Sequence, residues 1–203
     1  MKLVKLIIMT ALSSLTMQSF AQTPLESLRN IFASETVEMQ CDYETTVSGA
    51  LIVGHSDVVV QKNMYSMKGN GLEVYCNGKT MWTVDDSSHE VIIEPCESQD
   101  RDYMANPVLM LVDVNKLFAL SGRRPLGNGK EEFELDAVVR CGVTKAILVL
   151  KSDGTVIRGK FFLEDGNEFA VQVVSMKKTE EKPASFFSPQ RKFGSDWIVT
   201  DLR

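Results

Sequence analysis

The first hydrophobic stretch of the chain has the pattern of a secretory signal. An apolar run that ends at Leu15 follows two lysines, and small residues, Ser19 and Ala21, stand at the positions that signal peptidase reads. The run is shorter than the ~20 residues that a bilayer span requires. We therefore expect residues 1–21 to be a cleaved signal peptide and residues 22–203 to form one domain. A buried N-terminal helix is the alternative interpretation.

The next pattern predicts an amphipathic helix that begins at Thr23. Thr23 is a suitable N-cap, Pro24 suits the first helical position, and Glu26 can complete a capping box. Apolar residues then recur at helical spacing. They are Leu25, Leu28, Ile31 and Phe32.

Strict alternation of apolar and polar residues predicts a half-buried strand from Val37 to Val47. Shorter runs with strand character follow at Ala50–Val53, Val58–Gln61, Met64–Met67, Leu72–Cys76, Lys79–Val84 and His89–Glu94. Asn77-Gly78 predicts a type I′ hairpin turn between two of them, because both residues accept a positive φ. The spacing is typical of an antiparallel meander.

A second helix is predicted to begin at Asn106-Pro107 and to end at Gly122. Its residues are apolar on almost every side, from Val108 to Leu120. A helix with so little polar surface has to be covered on more than one side.

Strands return in the last third of the chain. The candidates are Phe133–Leu135, Lys145–Leu150, Val156–Leu163, Glu168–Met176 and Trp197–Thr200. Asp153-Gly154 and Asp165-Gly166 predict hairpin turns between consecutive strands. No strand alternates with a long helix, which argues against a doubly wound parallel fold. We expect a mainly β fold: a strongly curved antiparallel sheet that forms an incomplete barrel, with the N-terminal and central helices covering its concave apolar face.

Composition narrows the possible functions without identifying one. The chain is 44% hydrophobic, with 22 basic and 27 acidic residues and a net charge of -5. It therefore lacks the basic surface that binding to nucleic acid requires. The four cysteines show no CxxC and no zinc-ligand spacing. Two disulfides with any of three pairings, or buried thiols, are both compatible with the sequence.

A search for catalytic chemistry finds no convincing constellation. Neither His55 nor His89 has a further ligand at metal-binding spacing, and the Gly-Lys-Thr at Gly78 lacks the earlier glycine of a phosphate-binding loop. Asp85 and Asp86 could bind a cation, but carboxylates in hairpin turns usually face water. We expect no catalytic residue, no metal site and no cofactor.

The informative residues are apolar. Methionine is flexible and suits surfaces that accept variable apolar ligands. Beyond the predicted signal the chain carries methionines at positions 39, 64, 67, 81, 104, 110 and 176. These residues fit either a filled core or the wall of a binding cavity, and the residue pattern alone leaves both open.

The order of seven motifs resembles that of a known family. The motifs are the leading amphipathic helix, the alternating strand, the turn and strand from Gly78 to Trp82, the Asn106-Pro107 helix, the Asp165-Gly166 hairpin, Phe186-Phe187-Ser188-Pro189, and the strand from Trp197 to Asp201. In this order they resemble the periplasmic outer-membrane lipoprotein carrier (LolA-like) family, over roughly residues 23–203. The resemblance implies an incomplete β-barrel whose hydrophobic concave face is closed by helices that act as a lid.

The resemblance also implies a function and partners. A carrier of this family is a periplasmic monomer that takes acylated lipoproteins from an inner-membrane lipoprotein-releasing transporter to an outer-membrane acceptor. Family members commonly use an arginine in the strand before the hairpin to latch the lid, and this chain has none between Lys62 and Met67. A regulatory module of the same fold that senses lipid or lipoprotein is the alternative function, and a hydrolase is a further rival.

We predict that a ligand-binding cavity and its lid are formed by thirteen residues. They are Met39, Tyr43, Met64, Met67, Trp82, Val84, Val91, Ile93, Leu111, Phe118, Leu148, Phe161 and Leu163. Leu111 and Phe118 are expected on the central helix, and the others on the sheet.

Overall fold

The computed structural model describes residues 23–47, 50–96, 103 and 107–203. The predicted signal peptide and the predicted start of the second helix at Asn106 lie outside the described residues. No helix in the described part of the chain is long and apolar enough to span a membrane.

The N-terminal helix forms as predicted. It is α1, Pro24–Ser34. The Glu26 N–H donates to Thr23 Oγ1 (3.3 Å), and the Thr23 N–H donates to the Glu26 carboxylate (2.9 Å), so the capping box is closed. All four of the apolar residues predicted for its inner face are buried.

A single open, curved sheet dominates the molecule. Its strands are β1 (Thr36–Val47), β2 (Ala50–Gln61), β3 (Met64–Gly69), β4 (Leu72–Cys76), β5 (Thr80–Asp85), β6 (Glu90–Pro95), β7 (Phe118–Gly127), β8 (Lys130–Ala137), β9 (Val143–Lys151), β10 (Val156–Leu163), β11 (Glu168–Thr179) and β12 (Ile198–Asp201). Their order across the sheet is β12-β6-β5-β4-β3-β2-β1-β11-β10-β9-β8-β7. The predicted mainly β fold with a curved antiparallel sheet is confirmed.

Two strands that the sequence predicts separately form one continuous strand, and one pair of neighbouring strands is parallel instead of antiparallel. Ala50–Val53 and Val58–Gln61 belong to the continuous strand β2. β12 runs parallel to β6, whereas the turn pattern predicts antiparallel neighbours throughout. The long segment after β11 returns across the sheet before β12 begins, so no tight hairpin sets the direction of this strand.

The second helix is shorter than its hydrophobic pattern predicts. It is divided into α2, Pro107–Val112, and α3, Val114–Leu117, and the predicted continuation to Gly122 is wrong. Phe118 instead begins β7.

Cross-strand pairing explains why β7 replaces a helix. Residues 118–120, which the pattern predicts as helical, pair with residues 135–137 of β8, and farther along the same pair Arg124 donates to Glu132 directly opposite it. Opposite charges that face each other across a ladder stabilise the strand pair. The residues of β8 that pair with β7 follow the turn between the two strands, so they lie outside the stretch of sequence in which helical periodicity is detected.

Turn geometry departs from the sequence prediction at one hairpin. Of Asn77 and Gly78, only Gly78 has a positive φ (87°), and the Asn77 side chain accepts hydrogen bonds from the N–H groups of Lys79 and Thr80. The hairpin itself is confirmed. The positive φ at both residues that a type I′ turn requires occurs at Asn70-Gly71, between β3 and β4, and at Asn128-Gly129, between β7 and β8.

The last part of the chain covers the face of the sheet that lies opposite the helices. A short 3-10 helix, Ala184–Phe187, packs against β3, and its Phe187 is fully buried. Just before it, the Lys182 N–H donates to the side chain of Gln61. This segment ends in β12, so both faces of the sheet carry apolar contacts.

Candidate functional site

Alternate residues of a strand point to opposite faces of a sheet, and β5 divides its apolar residues between the two faces. Met81 packs against the core beneath the helices, whereas Trp82 and Val84 pack on the other side. We call the apolar cluster that contains Met81, together with the buried residues of the helices and of this face of the sheet, the inner cluster. The cluster that contains Trp82 and Val84 is the outer cluster. The outer cluster consists of Trp82, Val84, Val91, Ile93, Phe193 and Trp197.

The inner cluster lies under a lid made of α2 and α3, residues 107–117. Met110, Val114 and Leu117 of the lid are buried in it. α2 also contacts α1. The apolar face of the lid therefore occupies the surface that the sheet would otherwise present to solvent.

A buried carboxylate joins the parts of the lid. Asp113 lies between α2 and α3 and accepts hydrogen bonds from Tyr103 Oη (3.3 Å) and Lys116 Nζ (2.7 Å). A buried carboxylate is costly unless such donors satisfy it. The lid is therefore held by polar contacts at this point and by apolar contacts along its inner face.

An apolar cleft of about 350 Å³ opens between α2 and the sheet. It is lined by Thr45, Tyr103, Met110, Leu111, Val143, Phe161, Leu163 and Phe169. None of these residues is charged, and the rings of Phe161 and Phe169 lie 6.1 Å apart. The cleft is at the small end of the ~300–1,000 Å³ range of ligand pockets. Its chemistry suits an apolar ligand.

The apolar surface continues from the cleft onto β2. Ile52 pairs with Thr45, and paired residues share a face of the sheet. The Ile52 side chain is 43% exposed. An apolar ligand that emerged from the cleft on this side would still be in contact with an apolar side chain.

Seven of the thirteen predicted residues belong to the inner cluster. Leu111, Phe161 and Leu163 line the cleft itself. Met39, Met67, Phe118 and Leu148 pack in the same cluster outside the cleft. Phe118 does so as the first residue of β7, not from a helix. An eighth predicted residue, Tyr43, is half-buried and stacks on Phe169, with ring centroids 6.2 Å apart.

The structure separates the other five predicted residues from the cleft. Trp82, Val84, Val91 and Ile93 lie in the outer cluster, where the C-terminal segment covers them. Met64 lies next to Tyr65, which faces the inner cluster, and therefore points to the other face. β5 has apolar residues on both faces, Met81 on one and Trp82 and Val84 on the other, so alternation in the sequence does not show which face the helices cover.

The sequence prediction missed five residues of the cleft. They are Thr45, Tyr103, Met110, Val143 and Phe169. Phe169 could have been found, because the Asp165-Gly166 hairpin sets a register that pairs it with Phe161. Tyr103 carries no such signal, since none of the helices and strands predicted from the sequence includes it.

A second groove, of about 780 Å³, lies on the outer face and has a different character. Charged side chains line it, among them Asp42, Glu132, Arg158 and Lys160. The Arg124 guanidinium, with that of Arg158, holds the pKa of the Glu132 carboxyl below its usual range. An acyl chain in this groove would have to displace water from these ions, which is unfavourable. The apolar cleft is therefore the better candidate site.

No family model matches the sequence, and no curated protein matches it. Solved structures do. An uncharacterized conserved protein from Thermus thermophilus is 15% identical, with a TM-score of 0.55 over 88% of this chain and 96% of that one. This likeness shows a shared fold.

Two further solved structures match with lower TM-scores. A LolA superfamily protein from Nitrosomonas europaea is 14% identical, with a TM-score of 0.45 over 83% of this chain and 97% of that one. A domain from Vibrio parahaemolyticus described as an outer membrane lipoprotein-sorting protein is 9% identical, with a TM-score of 0.41 over 80% and 95%.

Proposed function

We propose that this protein is a periplasmic carrier that holds the acyl chains of lipoproteins in the apolar cleft and moves them from the inner to the outer membrane. The observation that carries the proposal is a cleft without charged lining residues beneath a lid of two short helices. The resemblance of the motifs supports the choice of ligand. No catalytic role is assigned to any residue.

The free energy of transfer explains why such a carrier needs a cleft of this kind. Each buried CH₂ contributes about 0.8 kcal/mol, so an acyl chain does not leave a membrane for water at a useful rate. The cleft offers a replacement for the bilayer. Binding must also be reversible if the cargo is to be released at its destination.

The lid provides a mechanism for reversible binding. Met110 and Leu111 contribute to the wall of the cleft from the lid side. An acyl chain longer than the present cleft accommodates has to displace them from the inner cluster. The lid and the ligand then compete for one apolar surface, and the affinity is the difference between the two.

The proposal includes partners at both membranes. We infer an inner-membrane lipoprotein-releasing transporter as the source of the cargo and an outer-membrane acceptor as its destination. Both inferences rest on the resemblance.

A transfer assay with two matched variants tests the proposal. The protein is incubated with inner-membrane vesicles that contain a triacylated lipoprotein, and the lipoprotein released with it is measured by mass spectrometry. Leu163→Glu places a charge in the cleft, whereas Leu120→Glu places the same charge on an exposed position of β7. We expect Leu163→Glu to release at least tenfold less lipoprotein than the wild type, and Leu120→Glu to match the wild type. Release of no lipoprotein by the wild type, or equal release by both variants, would contradict the proposal.

A further inference from the structure

Two of the four cysteines meet at the point where the chain leaves the sheet toward the lid. The sulfur atoms of Cys76 and Cys96 lie 2.6 Å apart. Cys76 is the last residue of β4 and is buried, and Cys96 directly follows β6. Both belong to the inner cluster, on the face that the lid covers.

The backbone holds Cys96 in this position. Its N–H donates to the carbonyl oxygen of Lys79 (2.7 Å), which lies in the turn between β4 and β5. Cys96 thus continues the pairing of β6 by one residue beyond Pro95, opposite the turn that follows Cys76. The two sulfur atoms are close because Cys76 ends β4 and Cys96 directly follows β6 at the same end of the sheet.

Sheet order excludes a disulfide between Cys41 and either Cys141 or Cys76. Cys41 is on β1, and Cys141 precedes β9, with β11 and β10 between those two strands. Strands lie about 4.8 Å apart, so three steps separate the backbones by roughly 14 Å. β1 and β4 are also three steps apart. A disulfide requires Cα atoms within about 7 Å of each other.

We propose that Cys76 and Cys96 form a disulfide that fixes the root of the lid segment to the sheet when the protein is in an oxidising compartment. The two thiols lose two protons and two electrons, and the electrons reduce the disulfide of a thiol–disulfide exchange protein to a dithiol. Cys96 is the more accessible residue. Its thiolate attacks the oxidant's disulfide to form a mixed disulfide, and the Cys76 thiolate then attacks Cys96 Sγ and releases the reduced oxidant.

The disulfide has a consequence for ligand binding that rests on the proposed function. Cys96 fixes one end of the lid segment, and Phe118, which begins β7, fixes the other. The lid, residues 107–117, then has a fixed point on each side of it along the chain.

Peptide mapping tests the disulfide without reference to any ligand. The protein is exported to an oxidising compartment, purified without reductant, denatured, alkylated and digested for mass spectrometry. We expect one linked peptide pair that contains Cys76 and Cys96, and alkylation of Cys41 and Cys141. Alkylation of Cys76 and Cys96, or a link from either of them to another cysteine, would overturn the proposal.

Hydrogen exchange tests the anchoring. On addition of a reductant, we expect amides of residues 107–117 to exchange several-fold faster in the wild type and in a Cys41→Ser/Cys141→Ser variant. The same addition is expected to have no effect on a Cys76→Ser/Cys96→Ser variant. Unchanged exchange in the wild type would overturn the anchoring role. A linked protein that bound no acyl chain would contradict the proposed function and leave the disulfide standing.

Discussion

The turn between β9 and β10 lies against α1 and depends on a glycine. Gly154 has a φ of +86°, and a Cβ added there would lie 2.5 Å from the backbone nitrogen of Leu28. Gly166, in the next hairpin, has a φ of +84° but no atom within 4 Å of an added Cβ. The two positions share their backbone conformation and differ in their surroundings.

We predict that Gly154→Ala lowers the free energy of unfolding by about 2–4 kcal/mol, since it adds overpacking to the ~1–2 kcal/mol cost of a positive φ. Gly166→Ala should lower it by only about 1–2 kcal/mol, from the backbone term alone. Urea denaturation of both variants measures the difference. Equal losses would show that the contact between the turn and α1 contributes nothing.

A second residue-scale prediction concerns Glu132 on the outer face. Its side chain is 9% exposed and pairs with Arg124 and Arg158. The Arg124 hydrogen bond in particular lowers the pKa of the Glu132 carboxyl below that of the unfolded chain, which is about 4.3. The resulting stability is present above the unfolded-state pKa and is lost as the pH falls through the lower, folded-state pKa.

We therefore predict that Glu132→Gln is less stable than the wild type at pH 7 and that this gap narrows at pH 3. Urea denaturation of both proteins at the two pH values measures the gap. A gap of the same size at both values would show that the ionised carboxylate is not the source of the stability.

At the scale of elements, the two faces of the sheet are covered by different parts of the chain. The C-terminal segment closes the outer cluster, where Trp197 stacks on His89 with ring centroids 5.2 Å apart. The lid covers the inner cluster and leaves the cleft beside Phe169. Truncation of one aromatic residue on each face separates stability from binding.

We predict that Phe169→Ala weakens binding of a triacylated lipopeptide about tenfold, or 1.4 kcal/mol, because it removes a wall of the cleft. Trp197→Ala should lower the unfolding free energy by about 2 kcal/mol through lost aromatic contacts and leave the affinity unchanged. Calorimetric titration and thermal unfolding of both variants measure these effects. A loss of affinity in Trp197→Ala would indicate a binding site on the outer face and would contradict the assignment of the cleft.

The elements that the sequence predicted well are those defined by neighbours along the chain. The capping box at Thr23, the alternation from Val37 to Val47 and the turns at Gly154 and Gly166 are all local, and the structure contains each of them. The errors arose where contacts with residues distant in the sequence determine the secondary structure. Phe118 begins a strand because β8 pairs with it, although its own neighbourhood is helical in pattern.

The candidate site was only partly predictable for a related reason. Hydrophobicity identifies Phe161 and Leu163 as buried in a strand, and the structure places both in the cleft. It identifies Trp82 equally well, but the face on which Trp82 lies is decided by the path of the C-terminal segment. The sequence of β5 does not indicate that path, because the path depends on contacts made by the whole chain.

At the scale of the whole molecule, the open sheet carries two apolar clusters that are covered by different parts of the chain. Residues of the same chain cover the outer cluster from the 3-10 helix to β12. The inner cluster is closed only by α1 and by a lid of two short helices, within the part of the chain that the structure describes. Helices this short have little stability of their own and depend on the contacts they make. A ligand that replaced those contacts would release the lid.

Hydrogen exchange with and without a triacylated lipopeptide tests this central claim most directly. We predict that saturating lipopeptide makes residues 107–117 exchange faster, because the lid leaves the inner cluster. The strands that carry Phe161 and Phe169 should exchange more slowly, because the ligand covers them. Unchanged exchange in the lid at saturation, or protection confined to the charged groove around Asp42, would contradict the claim.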